Sequence, residues 1–275
     1  MSDLIHCITN PIAMNLSANV VLALGAKPIM AEHPDEVKEI TETASALLLN
    51  LGNISTTRME AMKISLSAAL KKDIPVVIDA VGVSCSGLRR RFFFELNSFI
   101  DACRKMSLEQ DTEGEDLKLL IKGNYSEIKS LFDETYRGKG VDAQENIDFS
   151  SVTEISMKLS EQLNAAILAT GKRDVMSFAG KVLINDSGHP MMSLVTGTGC
   201  ALGASCARFL AKEQSLHAVA KSCSLFGIAG EKAYEKVLEK EKRVGTGSFQ
   251  AAFLDELFFL YEDSQKAENL QVCRR

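Results

Sequence analysis

The sequence predicts an α/β fold, a mostly parallel central sheet with helices packed on its faces. Two observations predict it. Short β-branched, apolar runs alternate with longer stretches of helical spacing, the order that gives parallel strands joined by crossover helices. Two of the runs, 46–51 and 75–79, are apolar without a polar alternation, as strands covered on both faces are. The 275 residues hold no linker-like segment and no internal repeat beyond two short glycine turns, so a single domain over 1–275 is expected.

The elements follow in order. Leu4 to Pro11 reads as a short strand ending in a turn, with Asn10-Pro11 as the turn former. Helical spacing of Met14, Ala18, Val21 and Leu22 predicts a helix over 14–24, with Gly25 as its C′ cap. Residues 28–31 form a short strand, and a helix capped by Asp35 is expected over 35–43. The run at 46–51 is a strand, 57–70 an amphipathic helix, and 75–79 the strongest strand in the chain. A helix follows over 89–106. The polar, acidic stretch after it makes 98–118 a surface insertion in the expectation. Residues 117–122 give a strand, a helix opens at Ser126, 133–150 is a loop, and 152–169 reads as one helix. Strands at 175–178 and 181–184 pair through Ala179-Gly180, which predicts a mixed sheet at one edge. Helices over 200–211, 216–239 and 249–261 complete the chain, with 263–275 expected as a frayed tail.

Composition narrows the function classes. Net charge is −5 with a pI near 5.5, which offers no basic stripe for a nucleic acid. Seven cysteines occur without a C-x-x-C pair, beside four histidines, so neither a zinc cage nor a disulfide framework is expected. Reduced thiols, an N-terminus without signal-peptide features and no apolar run of membrane-spanning length together predict a cytoplasmic protein with no membrane partner.

The chemistry gathers at Val195-Thr196-Gly197-Thr198-Gly199-Cys200. Glycines let a backbone approach a ligand closely, and the helix that follows turns free N–H groups and its positive end toward the turn. Gly197, Thr198 and Gly199 therefore form a candidate anion hole. Cys200 stands where a helix end lowers a thiol pKa, although a buried structural thiol is the plainer alternative. Asp79, at the carboxyl end of a parallel strand, lies where open α/β sheets bind ligands, and it is a candidate for holding Mg²⁺. An Asp that only caps the next turn is the competing reading. Lys122 and Glu127 flank a strand–helix turn, as a phosphate contact and a metal contact or as a surface ion pair. Asn15 and Asn19 share a helix face that either meets a small ligand or is solvated. No Gly-Lys-Ser/Thr follows the glycine turn, which excludes a Walker A loop.

Taken in order, Cys7-Ile8-Thr9-Asn10, Met14-Asn15-Leu16-Ser17-Ala18-Asn19, Pro28-Ile29-Met30, Asp79-Ala80-Val81-Gly82, Lys122-Gly123-Asn124-Tyr125-Ser126-Glu127-Ile128, the glycine turn and Gly245-Thr246-Gly247-Ser248-Phe249-Gln250 resemble the hydroxyethylthiazole kinase family over nearly the whole chain. The resemblance implies a ribokinase-like three-layer αβα sandwich and a homotrimer with sites between subunits. It implies phosphorylation of 4-methyl-5-(2-hydroxyethyl)thiazole by ATP with Mg²⁺, in thiamine synthesis or salvage. By position, Met30 and Gly197 meet the thiazole, with Asn15 assigned to the same substrate from its helix face; Lys122 and Thr170 meet ATP, Asp79 and Glu127 lie near Mg²⁺, and Cys200 takes the catalytic place. The family usually has Arg where Lys122 stands, so the bidentate fork is lost. It usually has Pro where Ala80 stands, which predicts a less rigid turn. Two other readings stay open from the residues alone: another ribokinase-like kinase or ATP-dependent dehydratase, and a thiazole or nucleotide sensor without catalysis.

Overall fold

The computed structural model describes residues 3–107, 117–138 and 147–272. Five parallel strands, β1 (Leu4–Ile8), β2 (Lys27–Ile29), β3 (Ala46–Asn50), β4 (Val76–Asp79) and β5 (Leu119–Asn124), are followed by β6 (Ala166–Thr170), parallel to β5. A hairpin of β7 (Asp174–Phe178) and β8 (Lys181–Asn185) closes the sheet antiparallel at that edge. The strand order is β2-β1-β3-β4-β5-β6-β7-β8. The chain leaves β1 to one side for β2 and returns on the other for β3. This makes the carboxyl ends of β1 and β3 the switch point at which open sheets bind ligands.

Strand periodicity sorts the core into two. Ile5, Cys7, Leu48, Val77, Leu120 and Leu168 face one helix layer. It consists of α1 (Met14–Ala23), α7 (Thr198–Leu210), α8 (Leu216–Glu241) and α9 (Thr246–Val272). Ile8, Leu49, Ile78, Ile121 and Ile167 face the other. It consists of α2 (Val37–Thr43), α3 (Thr56–Lys72), α4 (Gly87–Ser107), α5 (Tyr125–Phe132) and α6 (Phe149–Leu163). The three layers of the expected sandwich are thus present, and so is the mixed edge.

Several boundaries differ from the sequence reading. The helix expected over 152–169 is two elements. Asn164 takes a left-handed conformation (φ 45°) after α6, and Ala166–Thr170 becomes the interior strand β6. Ala-Ile-Leu-Ala buried on both faces shows no alternation, so its pattern does not separate strand from helix. Residues 98–107 continue α4 and are not part of an insertion, Leu117 is wholly buried, and 108–116 lie outside the described residues. Asp35 caps nothing: α2 starts after Glu36, without a side-chain cap. The tail is helical as far as Val272, because α9 runs on from Thr246, and 273–275 lie outside the described residues.

Candidate active site

The alternation that fills the core also places the site. Asn50 and Asp79 end β3 and β4, and Lys122 lies beside Asp79 in β5; they are in step with Leu48, Val77 and Leu120, so all three point to the α7 layer. Asp79 is wholly buried. Its Oδ1 accepts from the Lys122 ammonium at 3.0 Å and its Oδ2 from the Asn50 amide at 2.7 Å. The Asn50 oxygen accepts from Asn10 Nδ2 at 3.0 Å and from the Gly52 N–H at 2.9 Å. Asn10 Nδ2 also donates to the Cys200 sulfur at 3.3 Å. A chain of polar contacts thus runs Lys122–Asp79–Asn50–Asn10–Cys200 across the switch point.

The α7 helix reaches this row because two positions lack a side chain. A Cβ at Gly203 would stand 3.2 Å from Leu48 Cδ1 and 3.5 Å from Asp79 Oδ2. Gly197, the helix N-cap, has φ +86°, and a Cβ there would stand 3.1 Å from Ala13 Cα. The Thr198 hydroxyl donates to the Val195 carbonyl at 2.6 Å and fixes the turn. The N–H groups of Gly199 and Cys200 fall in the first helical turn, without acceptors inside the helix. A Cβ on Gly199 would meet nothing within 4 Å, so that side of the first turn is open. Gly197, Thr198 and Gly199 thus stand at an open helix N-terminus.

Glu127 closes the other side. It completes a capping box at the start of α5, its Oε2 accepting from the Asn124 N–H at 2.7 Å. Its Oε1 accepts from the Gly82 N–H at 2.7 Å, which ties the loop after β4 to the helix after β5. Burial pushes this carboxyl up to about 7; the Gly82 N–H pulls against burial, and the nearby Asp79 adds to it. Burial likewise pushes Asp79 up, against Lys122 and Asn50. Burial works to lower Lys122, but the Asp79 carboxylate beside it prevails and holds the ammonium above its usual range.

One expectation changes here. The Cys200 thiol is not lowered by its helix end: burial, with Asp79 close by, pushes it up to about 11, beyond what Lys122, Asn50 and Asn10 recover. The Ala80 N–H donates to the Lys122 carbonyl at 2.7 Å, a bond that the proline usual in the family could not make.

The structure brings Asp79, Lys122, Glu127, Gly197, Thr198, Gly199 and Cys200 to one end of the sheet. Lys122 is only 3% exposed, and Asp79 takes its charge inward. Thr170 ends β6 opposite Asn124, its hydroxyl donating to the Gly123 carbonyl at 3.3 Å. Met30 follows the edge strand β2 and is half-buried. Asn15 is exposed on α1, where its side-chain oxygen accepts from Asn19 at 3.1 Å. Asn10 and Asn50 were not singled out from the sequence as site residues. Their one signal was position, each at the carboxyl end of a strand.

Among the described residues no three His, Cys, Asp or Glu side chains gather as a metal cage. Mg²⁺ carried with phosphates keeps waters and takes only one or two carboxylates, so it needs no such cage.

Known proteins share this arrangement of chain. Hydroxyethylthiazole kinase 2 of Clostridium botulinum (strain Hall) is 38% identical over 267 residues, covering 94% of this chain and 91% of its own. The solved hydroxyethylthiazole kinase of Pyrococcus horikoshii OT3 superposes with a TM-score of 0.77 at 29% identity, covering 93% and 87%. A ribokinase-like superfamily protein of Enterococcus faecalis V583, 15% identical with a TM-score of 0.61 over 94% and 87%, shares the fold. With the family's pattern matched across residues 1–263 on a ribokinase-like sandwich, the chain belongs to the hydroxyethylthiazole kinase family.

Proposed function

We propose that the protein transfers the γ-phosphoryl group of ATP to the side-chain hydroxyl of 4-methyl-5-(2-hydroxyethyl)thiazole, supplying thiazole phosphate for thiamine synthesis or salvage. The observation that carries this reading is the open N-terminus of α7, seated over Asp79 with Cys200 in its first turn, in a chain of this family. Phosphoryl transfer asks of a protein mainly positioning and charge stabilisation. The N–H groups of Gly199 and Cys200, with Gly197 and Thr198 shaping the turn, receive the equatorial oxygens of the γ-phosphate. The Cys200 thiol meets the alcohol and aligns it. A thiol pushed up to about 11 keeps its proton at neutral pH, which favours alignment over proton abstraction.

Asp79 and Glu127 would hold Mg²⁺ through water beside the phosphates, where the ion supplies charge neutralisation. Lys122 keeps Asp79 in place and adds a buried positive charge, while Thr170 borders the ATP side at the end of β6. Met30, Gly197 and Asn15 are assigned to the thiazole side.

The protein works as a homotrimer in the cytoplasm, with the thiazole site completed between subunits. Supporting this are Ile12 and Leu194, 59% and 63% exposed, which flank the contact between Ala13 and the glycine turn. No helix among the described residues is long and apolar enough to cross a membrane. Incubation with ATP, Mg²⁺ and hydroxyethylthiazole, followed by mass spectrometry, is expected to show the phosphate ester of the alcohol. Unchanged thiazole beside active control enzyme would refute the assignment.

A further inference from the structure

The side-chain amides of Asn10 and Asn50 each have a fixed direction. The Asp79 carboxylate can only accept, so the Asn50 nitrogen faces it at 2.7 Å and the Asn50 oxygen faces away. That oxygen accepts from Asn10 Nδ2 at 3.0 Å, while Asn10 Oδ1 accepts from the Ala13 N–H at 3.0 Å. Exchanging the nitrogen and oxygen of Asn10 would break both contacts, so the N–H that reaches Cys200 Sγ at 3.3 Å is fixed by its surroundings.

We propose that Asn10 is a positioning residue for phosphoryl transfer: its amide, oriented through Asn50 by Asp79, makes the Cys200 sulfur an acceptor on its inner side and turns the S–H outward to the alcohol. The proposal rests on the reading that Cys200 meets that alcohol. Sulfur is both a weak acceptor and a weak donor, so an N–H on one side leaves the S–H to point to the other. Cys200 is only part-buried, which leaves that other side for a substrate. The contacts of Asn10 with Asn50 and Ala13 also tie the ends of β1 and β3 to the start of α1, which holds the donor in place at the switch point.

The test uses the full-length enzyme. Asn10→Asp keeps an oxygen for the Ala13 N–H but replaces the N–H that faces sulfur; Asn10→Ala removes the amide. Both are expected to lower kcat about tenfold or more with the KM for ATP within about twofold of wild type, the scale of one hydrogen bond lost in the transition state. The S–H stretching band of Cys200, isolated as the difference spectrum against Cys200→Ser, is expected to move to lower wavenumber in Asn10→Asp, because the thiol then donates inward. In a Cys200→Ala background, Asn10→Ala is expected to cost less than about twofold more, since coupled residues are not additive. An unmoved band, or the same loss in both backgrounds, would overturn the proposal. Wild-type turnover in Cys200→Ala would overturn the reading beneath it. If Asn10→Ala does not fold, Asn10→Asp, which retains the turn contact, decides through the band.

Discussion

At the scale of single residues, the site gathers groups whose protonation is set by burial. Glu127 shows the consequence most simply. Its carboxyl sits near 7 in the folded chain against 4.5 as a free side chain. Between those values the unfolded chain has released the proton and the folded chain still holds it. Stability from this group is therefore full below pH 4.5, falls as pH rises toward 7, and is gone above it. In the protein without nucleotide, Glu127→Gln is expected to remove that slope. Its stability relative to wild type should rise by on the order of 3 kcal/mol across the window, read by urea unfolding at a series of pH values. A parallel pH profile for the two proteins would count against a buried, raised carboxyl. Asp79, Lys122, Glu127 and Cys200 were legible from the sequence as residues of interest, because each stands at a strand end or a helix start. Their partners were not. That Asn10 contacts Cys200, 190 positions away, depends on three strands and a helix meeting. The direction of the Cys200 shift depends on burial, which no local pattern encodes.

At the scale of elements, the seating of α7 on the sheet decides whether the proposed anion hole and the buried acid belong to one site. Gly203→Ala tests that seating. Alanine gains helix propensity of about 1 kcal/mol, but its Cβ presses on the wholly buried Leu48, and overpacking costs about 1–3 kcal/mol. A net loss of about 1 kcal/mol is expected, with kcat falling further than stability alone explains, measured by thermal unfolding beside steady-state kinetics. Full activity in Gly203→Ala would mean that α7 does not have to lie this close. Ala80→Pro brings the chain nearer to its family's usual sequence, yet it removes the bond from the Ala80 N–H to the Lys122 carbonyl. It is expected to cost about 1 kcal/mol and lower Tm by about 2–4 °C. A rise in Tm would show that the rigidity of proline outweighs the bond. Strands 4–8, 46–50 and 76–79 were readable because apolar runs end in turn residues or an acid. The strand Ala166–Thr170 was not, because it follows α6 after two residues and its alanines and leucine serve a helix equally well. Losing β6 would have left Thr170 in a loop when it is the end of an interior strand.

At the scale of the whole molecule, the sheet order puts the ends of β1, β3, β4 and β5 side by side, and the two glycine positions of α7 bring the proposed anion hole over them. Ile12 and Leu194 leave apolar surface at the edge of that site. In a homotrimer they are covered, so Leu194→Asp is expected to shift sedimentation from a trimer to smaller species and to raise the KM for the thiazole. A wild-type protein that sediments as a monomer at working concentrations would remove the shared site. The layered α/β architecture was legible from alternation alone. The homotrimer is an expectation from the family resemblance alone, because an exposed leucine is ordinary on any one chain. The claim on which these expectations rest is that the site joins ATP to a thiazole alcohol, and a coupled assay of ADP release with and without hydroxyethylthiazole tests it most directly. ADP release that rises and saturates with the thiazole, and stays near background without it, is the expected result. ADP release that is absent, or the same in both, would contradict it.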